Sequence, residues 1–480
     1  MNVDDLQWQV TNLGGVLPRI VDEVLDGGGL EALVGAAEER GDWFCAEGAV
    51  RGLCAAGEFG RAWAVVEPFV GTGWRPAVRV GADVLVRWGR IEQALELSRP
   101  AGTAGTEAAE GNAGTGDLAA AVRDHAEVLV RAGRADEAVD VLAPHLRDRR
   151  VLGALVELTE GQGCDERVLE LLAPLADEFR RSPGRGGSGG PWEVLSGQAR
   201  VLERSGRADE AIRQFGADVA ARRYGPLNNV ESYADLLARH GRIEELRSLA
   251  DTESRAAVPR YVRALEDVGR AGEAEAYLRG LIAAGKPGWH ESMLMELLFR
   301  QGRPADGIEA AAGTFDDLYD DNLLQSALLL LAEHGLHDRA IALTRERSPE
   351  FLAENEAYWV RSNRWWLMGE AGRAAEALAE IEALPVDGAD EVDEVDDREL
   401  TVAWLLAQDG RVAEADALLR GMPGKRAGTQ LAELLIRQGR FAEAIAAIPD
   451  VAAQREEEKR RWAKWREAAA SGAAGGWGGR

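Results

Sequence analysis

Glu333, His334 and His337 stand within five residues of one another in the stretch EHGLH, and imidazoles beside a carboxylate are the usual raw material of a metal site. A metal site needs further ligands at fixed spacing, and no third cluster accompanies these. Gly335 between the histidines reads as a turn between helices, which puts both rings on the surface. The loop GRGGSGG fits two chemical patterns at once. Gly184, Gly186 and Gly189 have the spacing of a dinucleotide-binding turn, and Gly186, Ser188 and Gly190 that of a nucleophile elbow. Both chemistries need a strand before and a helix after, whereas Pro183 and Pro191 bracket low-complexity sequence here, so a linker is expected. GMPGKRAG around Lys425 has the lysine of a phosphate loop with the wrong glycine spacing, and Arg426 stands where a hydroxyl residue is needed. The acidic run Asp387 to Glu399 lacks the order of a calcium loop and reads as a solvated loop, or a dock for a basic segment. The expectation is no catalytic, metal or cofactor-binding residue, no cofactor, and no enzymatic activity.

Bulk composition narrows the classes further. Ala, Leu, Glu and Arg dominate the 480 residues, a helix-forming bias. With 56 basic against 82 acidic residues, the formal net charge is −26, and no basic stripe is present to displace counterions from a polyanion. Nucleic acid is therefore not an expected partner. Cys45, Cys54 and Cys164 cannot form a closed set of bridges and contain no Cys-x-x-Cys pair, so reduced structural thiols are expected. The N-terminus has two early aspartates and no long apolar core, and no apolar run approaches the length of a membrane span. A cytoplasmic location, with no membrane partner, follows as the expectation.

The elements that would carry any function come from a recurring phrase. LVRAGRADEA begins at Leu129, LERSGRADEA at Leu202 and LIRQGRFAEA at Leu435. Its glycine recurs at Gly57, Gly89, Gly133, Gly163, Gly206, Gly241, Gly269, Gly302, Gly335, Gly372, Gly410 and Gly439, about 35 residues apart, which is the period of two-helix repeats. Nine of the twelve precede Arg. Four residues before the glycine stands Leu in ten of twelve copies, with Met368 and Thr159 as the exceptions. Five residues after it stands Ala in nine, with Val168, Leu246 and Gly307 as the exceptions. The glycine is expected to close a first helix in the left-handed conformation, the leucine to pack inward, and the alanine to let the second helix approach closely. Acids just past the turn, such as Asp136 and Glu137, suit the positive end of the second helix.

On these residues the chain resembles the tetratricopeptide repeat family from about residue 43 to 450, with departures. The family's small residue seven before the glycine is kept at Ala82, Ala126, Ala199, Ala234, Ala403 and Ala432, but Met295, Leu328 and Trp365 replace it elsewhere. Its early Trp and closing Pro are largely absent. The resemblance implies an all-α, right-handed superhelical α-solenoid of about twelve helix-turn-helix repeats with Gly-rich and acidic loop insertions. It also implies a concave groove lined by first helices, faced by the residues six and two before each glycine. Those positions hold Asp83 and Arg87, Glu127 and Arg131, Asp235 and Arg239, Glu296 and Arg300, and Glu433 and Arg437, five acid-to-Arg pairs at i, i+4. The pairs support an isolated helix; equally, the arginines would fork onto an extended peptide. Trp366 and Trp404 replace the acid in two consecutive units, and Trp359 precedes Trp366 on the same helix, so the three would form an aromatic anchor. The lysine and asparagine clamp by which some members hold chaperone C-termini has no counterpart.

The expected organisation is an atypical capping segment at 1–42, a repeat array at 43–450 and a charged helix with a Gly-rich tail at 451–480. Insertions fall near 100–117 and 181–192, with an acidic loop at 386–399. The expected function is a non-enzymatic scaffold or adaptor binding a protein or peptide partner in the groove through Arg87, Arg131, Arg239, Arg300, Trp359, Trp366, Trp404 and Arg437. The alternative is a sensor whose superhelix changes shape when it binds a peptide or small ligand.

Overall fold

The computed structural model describes residues 2–100, 112–181, 193–221, 227–252, 254–285, 289–317, 322–355, 359–384 and 392–470. Among them the elements are helices, with no strand. The chain forms two compact units, Met1–Trp88 with Asp316–Arg480 as the first, and Gly89–Phe315 as the second.

The first unit opens with α1 (Val3–Asn12), α2 (Pro18–Asp26), α3 (Leu30–Arg40), α4 (Trp43–Ala55), α5 (Phe59–Val70) and α6 (Arg75–Arg87). The second contains α7 (Ile91–Ser98), α8 (Asn112–Arg131), α9 (Ala135–Leu142), α10 (Arg149–Leu158), α11 (Asp165–Arg181), α12 (Glu193–Arg204) and α13 (Ala208–Ala220). It continues with α14 (Leu227–Arg239), α15 (Ile243–Thr252), α16 (Ser254–Asp267), α17 (Ala271–Ala283), α18 (His290–Arg300) and α19 (Pro304–Ala311). The first unit resumes with α20 (Asn322–Glu333), α21 (His337–Arg345), α22 (Pro349–Asn355), α23 (Arg361–Glu370) and α24 (Ala374–Glu382). It ends with α25 (Val392–Gln408), α26 (Val412–Gly421), α27 (Lys425–Ile436), α28 (Phe441–Ala447) and α29 (Val451–Ala470).

The recurring phrase is a turn with its core contacts. All twelve marker glycines have φ between 63° and 81°, where a Cβ is penalised. At ten of them the residue after the glycine donates its N–H back to the carbonyl four residues before the glycine, as from Arg134 to Leu129 (2.8 Å), Arg270 to Leu265 (2.8 Å) and Arg440 to Leu435 (3.0 Å). This closes the first helix with a Schellman bond and starts the second in another direction. Every residue four before the glycine is buried, Met368 and Thr159 included, and the nine alanines five after it are fully buried. Gly307 shows why the site is small: a Cβ there would lie 2.9 Å from the Phe299 ring and 3.1 Å from the Met295 carbonyl of the preceding helix.

The structure differs from expectation at several boundaries. Helix α8 already begins at Asn112, and α25 at Val392, so the later parts of the insertions expected at 100–117 and 386–399 are helical; 101–111, 182–192 and 385–391 lie outside the described residues. The capping segment contains another turn of the same kind. Gly28 has φ 85°, Gly29 donates to Val24 (2.8 Å), and Val24 and Leu33 occupy the core positions, so α2 and α3 form a hairpin. The three cysteines are free and buried. No helix among the described residues is long and apolar enough to cross a membrane.

Within the first unit the two chain ends meet. Hairpin α2–α3 packs on α4, and on its other side α2 lies on α27 and α3 on α28. First helix faces first helix and second faces second, the arrangement of successive hairpins, between segments some 400 residues apart in sequence.

Candidate functional site

In the second unit, the first helices form a layer in which α8 packs on α10, α10 on α12, α12 on α14 and α14 on α16. Across α10, α12 and α14 runs a groove of about 730 Å³. Its floor is apolar, with Leu152, Val156, Leu236 and the Phe215 ring from α13 beneath. Small residues deepen it: a Cβ on Gly197 would lie 3.2 Å from Val156, and one on Gly153 would meet nothing within 4 Å.

Charged side chains rim the floor, and most of the positive ones are already engaged. Arg239 on α14 forks onto Glu203 of α12 at 2.8 and 2.7 Å, and His240 Nε2 lies 2.8 Å from the same carboxylate. Hydrogen bonds from Arg239, with a further one from His240, hold the Glu203 carboxyl below the usual carboxylate range despite its partial burial. Arg200 pairs with Glu160 at 2.9 Å. Arg204, largely buried, donates to Asp165 (2.9 Å), to the Thr159 hydroxyl (2.9 Å) and to the Val156 carbonyl, which ties α12 to the end of α10. Asp235 accepts from Arg260 at 2.8 Å. Glu157 has no ion-pair partner among the described residues, and Glu193 only a long one to Arg149 at 3.8 Å. The groove thus combines an apolar floor, a braced polar rim and surplus carboxylate.

The sequence-predicted residues divide between the units. Arg131, Arg239 and Arg300 lie in the second, and Arg87, Trp359, Trp366, Trp404 and Arg437 in the first. The i, i+4 pairing holds at Asp83 with Arg87 (2.8 Å) and Glu127 with Arg131 (2.6 Å). Arg300 instead forks onto Glu266 of α16 at 3.1 and 2.8 Å, with Glu296 at 3.7 Å. Glu433 is taken by Arg19, and Arg437 has no ion-pair partner within reach among the described residues. Trp359 is a core residue, 6% exposed, its ring edge-on to Phe351 and its indole N–H bonded to Asn355 Oδ1 (3.1 Å). Trp366 is exposed. The half-buried Trp404 packs on the Gly369 backbone, where a Cβ would lie 2.3 Å from its ring.

Two signals went unread. Glu203 and Glu266 each stand three before a marker glycine, so the arginine two before the next glycine finds an acid on the preceding first helix. The arginine directly after the glycine also has a job. It forks onto the acid three residues on, as in Arg134 with Glu137 (2.6 and 2.6 Å), Arg270 with Glu273 (2.7 and 2.8 Å) and Arg411 with Glu414 (2.8 and 2.6 Å). Five arginines of this position reach the preceding second helix as well: Arg303 to Glu275 (2.6 Å), Arg373 to Asp338 (2.9 Å), Arg242 to Asp209, and, at 3.6 Å, Arg134 to Glu92 and Arg207 to Glu166. His334 lies at the turn after α20, its Nδ1 against the Leu330 carbonyl at 2.8 Å.

No family model matches the chain, and neither does any curated protein. Among solved structures it is similar to the pentatricopeptide repeat protein PPR10 from maize, at 14% identity and a TM-score of 0.31, over 84% of this chain and 57% of that one. It is similar to Naa15/Naa10 bound to HypK-THB at 12% identity and a TM-score of 0.35, over 84% of this chain and 67% of that one. Yeast Tom70 is matched at 13% identity and a TM-score of 0.26, over 89% and 95% of the two chains. The chain therefore spans little more than half the length of the first of these. Likeness at this level says nothing about activity, and the protein is a helical-repeat solenoid on the strength of its turns and core.

Proposed function

We propose that this protein is a non-enzymatic scaffold of tetratricopeptide-like hairpins that binds an extended segment of a protein partner along its first helices. The observation that carries this reading is the groove across α10, α12 and α14, of about 730 Å³, with an apolar floor and a rim fixed by ion pairs. A rim braced in advance loses little side-chain freedom when a partner docks. Hydrogen bonding from Ser196 and Ser232, with spare carboxylate at Glu157, suits backbone N–H groups and cationic side chains of a peptide. The acidic balance of the chain argues against nucleic acid as the occupant.

The test is affinity capture of the tagged full chain from lysate of its source organism, with quantitative mass spectrometry. The parent is compared with Gly153→Phe, which fills open space over the groove floor, and with Trp366→Ala/Trp404→Ala in the first unit, after circular dichroism of each. A partner lost from Gly153→Phe and kept by the tryptophan variant is the expected outcome. Loss from the tryptophan variant alone moves binding to α23 and α25, and retention by both defeats the groove reading.

A further inference from the structure

The junction of α2–α3 with α27–α28 has the geometry of successive hairpins and no peptide connection between its two sides. Where a connected pair of hairpins has a short loop, this one is held by cross-junction contacts alone. Phe441, the first residue of α28, seats its ring against the Gly27–Gly29 turn: a Cβ at either Gly27 or Gly29 would lie 2.6 Å from it. Four other second helices carry Ala at that position, at Ala135, Ala208, Ala271 and Ala374, and only α5, with Phe59, also carries a Phe. Arg40, the last residue of α3, donates to the Ile445 and Ile448 carbonyls at 2.6 and 2.7 Å, satisfying the open C-terminus of α28 with a positive charge. Gln454 of α29 bonds both backbone groups of Gly15, accepting from its N–H (3.1 Å) and donating to its carbonyl (3.2 Å). Arg19 pairs with Glu433, Arg455 with Asp5, and Lys425 donates to the Leu13 carbonyl. Arg455 also lies over the Trp8 ring, whose N–H bonds Glu458 at 3.0 Å.

Most of these contacts are directional and several are ionic, and each side keeps its own folded neighbours. Hairpin α2–α3 packs on α4, and α27 packs on α25 and α26. Breaking the junction therefore exposes two repeat faces without dissolving either arm. We propose that this junction is a clasp that opens and closes with both arms folded, and that in its closed form it covers the stacking faces of the two terminal hairpins. A partner that docks by stacking a helical hairpin on either face competes with the chain's own other end. The clasp is thus an autoinhibitory contact for end-on assembly. Ionic pairs and charge-assisted caps make it weaken with salt, while the leucine and alanine core of each arm does not respond in that way.

The experiment is double electron–electron resonance on the full chain, spin-labelled at the exposed positions Glu38→Cys on α3 and Ala446→Cys on α28; the three native thiols are buried. It is run at low and at 1 M salt, in the parent, in Gly27→Ala, in Arg40→Met and in the double variant, with circular dichroism of each. Gly27 already has an ordinary right-handed backbone, so its added Cβ meets chiefly the Phe441 ring. The expected result is one short distance in the parent at low salt. A second, longer population then rises with salt and grows by about tenfold in the double variant, at unchanged helicity. One short distance under every condition overturns the proposal. So does a long population that appears only with loss of helicity, because the junction would then be part of the core. A short distance that disappears on mixing with excess unlabelled chain also overturns it, because the contact would then lie between copies.

Discussion

Hairpin α14–α15 follows α12–α13 through a short stretch of chain, and hairpin α2–α3 follows α27–α28 through none, yet both pairs stack first helix on first helix. In the second unit, connection supplies proximity, and the junction adds buried leucine and alanine, arginine forks and a Tyr233 ring set against Gly216. In the first unit, proximity is not given by the chain, and the junction carries a ring seated on glycines, a charged cap on a helix end and a side-chain amide paired with backbone. The difference teaches that a repeat face encodes stacking but not which neighbour it takes. Where sequence order does not choose the neighbour, specific polar chemistry does.

The largest effect tests what the two regions share. Leu237→Ala and Leu435→Ala, both fully buried at the same repeat position, should each cost about 2–5 kcal/mol in urea unfolding; a much smaller value at Leu435 would show the terminal hairpins to be looser than the rest. Next, Gly206→Ala forces a Cβ into a φ of 80° and should cost about 1–2 kcal/mol, measured the same way. Arg40→Met breaks the comparison, since it removes the cap on α28 and touches no turn or core position. Its cost of about 1–2 kcal/mol should appear as lost amide protection in α2, α3 and α28 while α12 and α14 stay protected. Smaller still is Glu203→Gln. The folded-state pKa of Glu203 is depressed by Arg239, so its contribution is present above the unfolded value near 4 and is lost as pH falls through the folded one. The variant should differ from the parent by less than about 1 kcal/mol at pH 7, and the difference should shrink as pH falls, by urea midpoints. Arg270→Ala, at a fully exposed fork, should leave the midpoint where it was.

The turn and its two core positions were legible because each repeats, and a repeated Gly with Leu before and Ala after has a single physical reading. The arginine pairings were legible only in part. Spacing at i, i+4 pointed along one helix, and at Arg239 and Arg300 an acid on the neighbouring helix offers a two-pronged approach that the same helix does not. The N-terminal hairpin was expected, with LEALVGAAEER as its best helix, but as an atypical one; its turn was not recognised as the repeated kind because Leu33 and Val24 stand where Ala and Leu were sought. The clasp was invisible for a deeper reason. Arg40 with Ile448, and Gln454 with Gly15, each pair positions that occur once and lie hundreds of residues apart. The glycine triplet Gly27–Gly29 was its one trace. Among the tryptophans, residue type alone did not separate the core ring of Trp359 from the exposed ring of Trp366.

Stacks of repeats ordinarily fray from their ends, because a terminal repeat has one neighbour and every internal one has two. With α2–α3 seated between α4 and α27–α28, neither of these hairpins is short of a neighbour while the clasp is closed. The usual penalty for being last in line is then replaced by a single equilibrium constant, that of opening. Exchange of amide hydrogens in α2 and α28 with solvent would report that constant directly, as a shared rate at two places far apart in the chain.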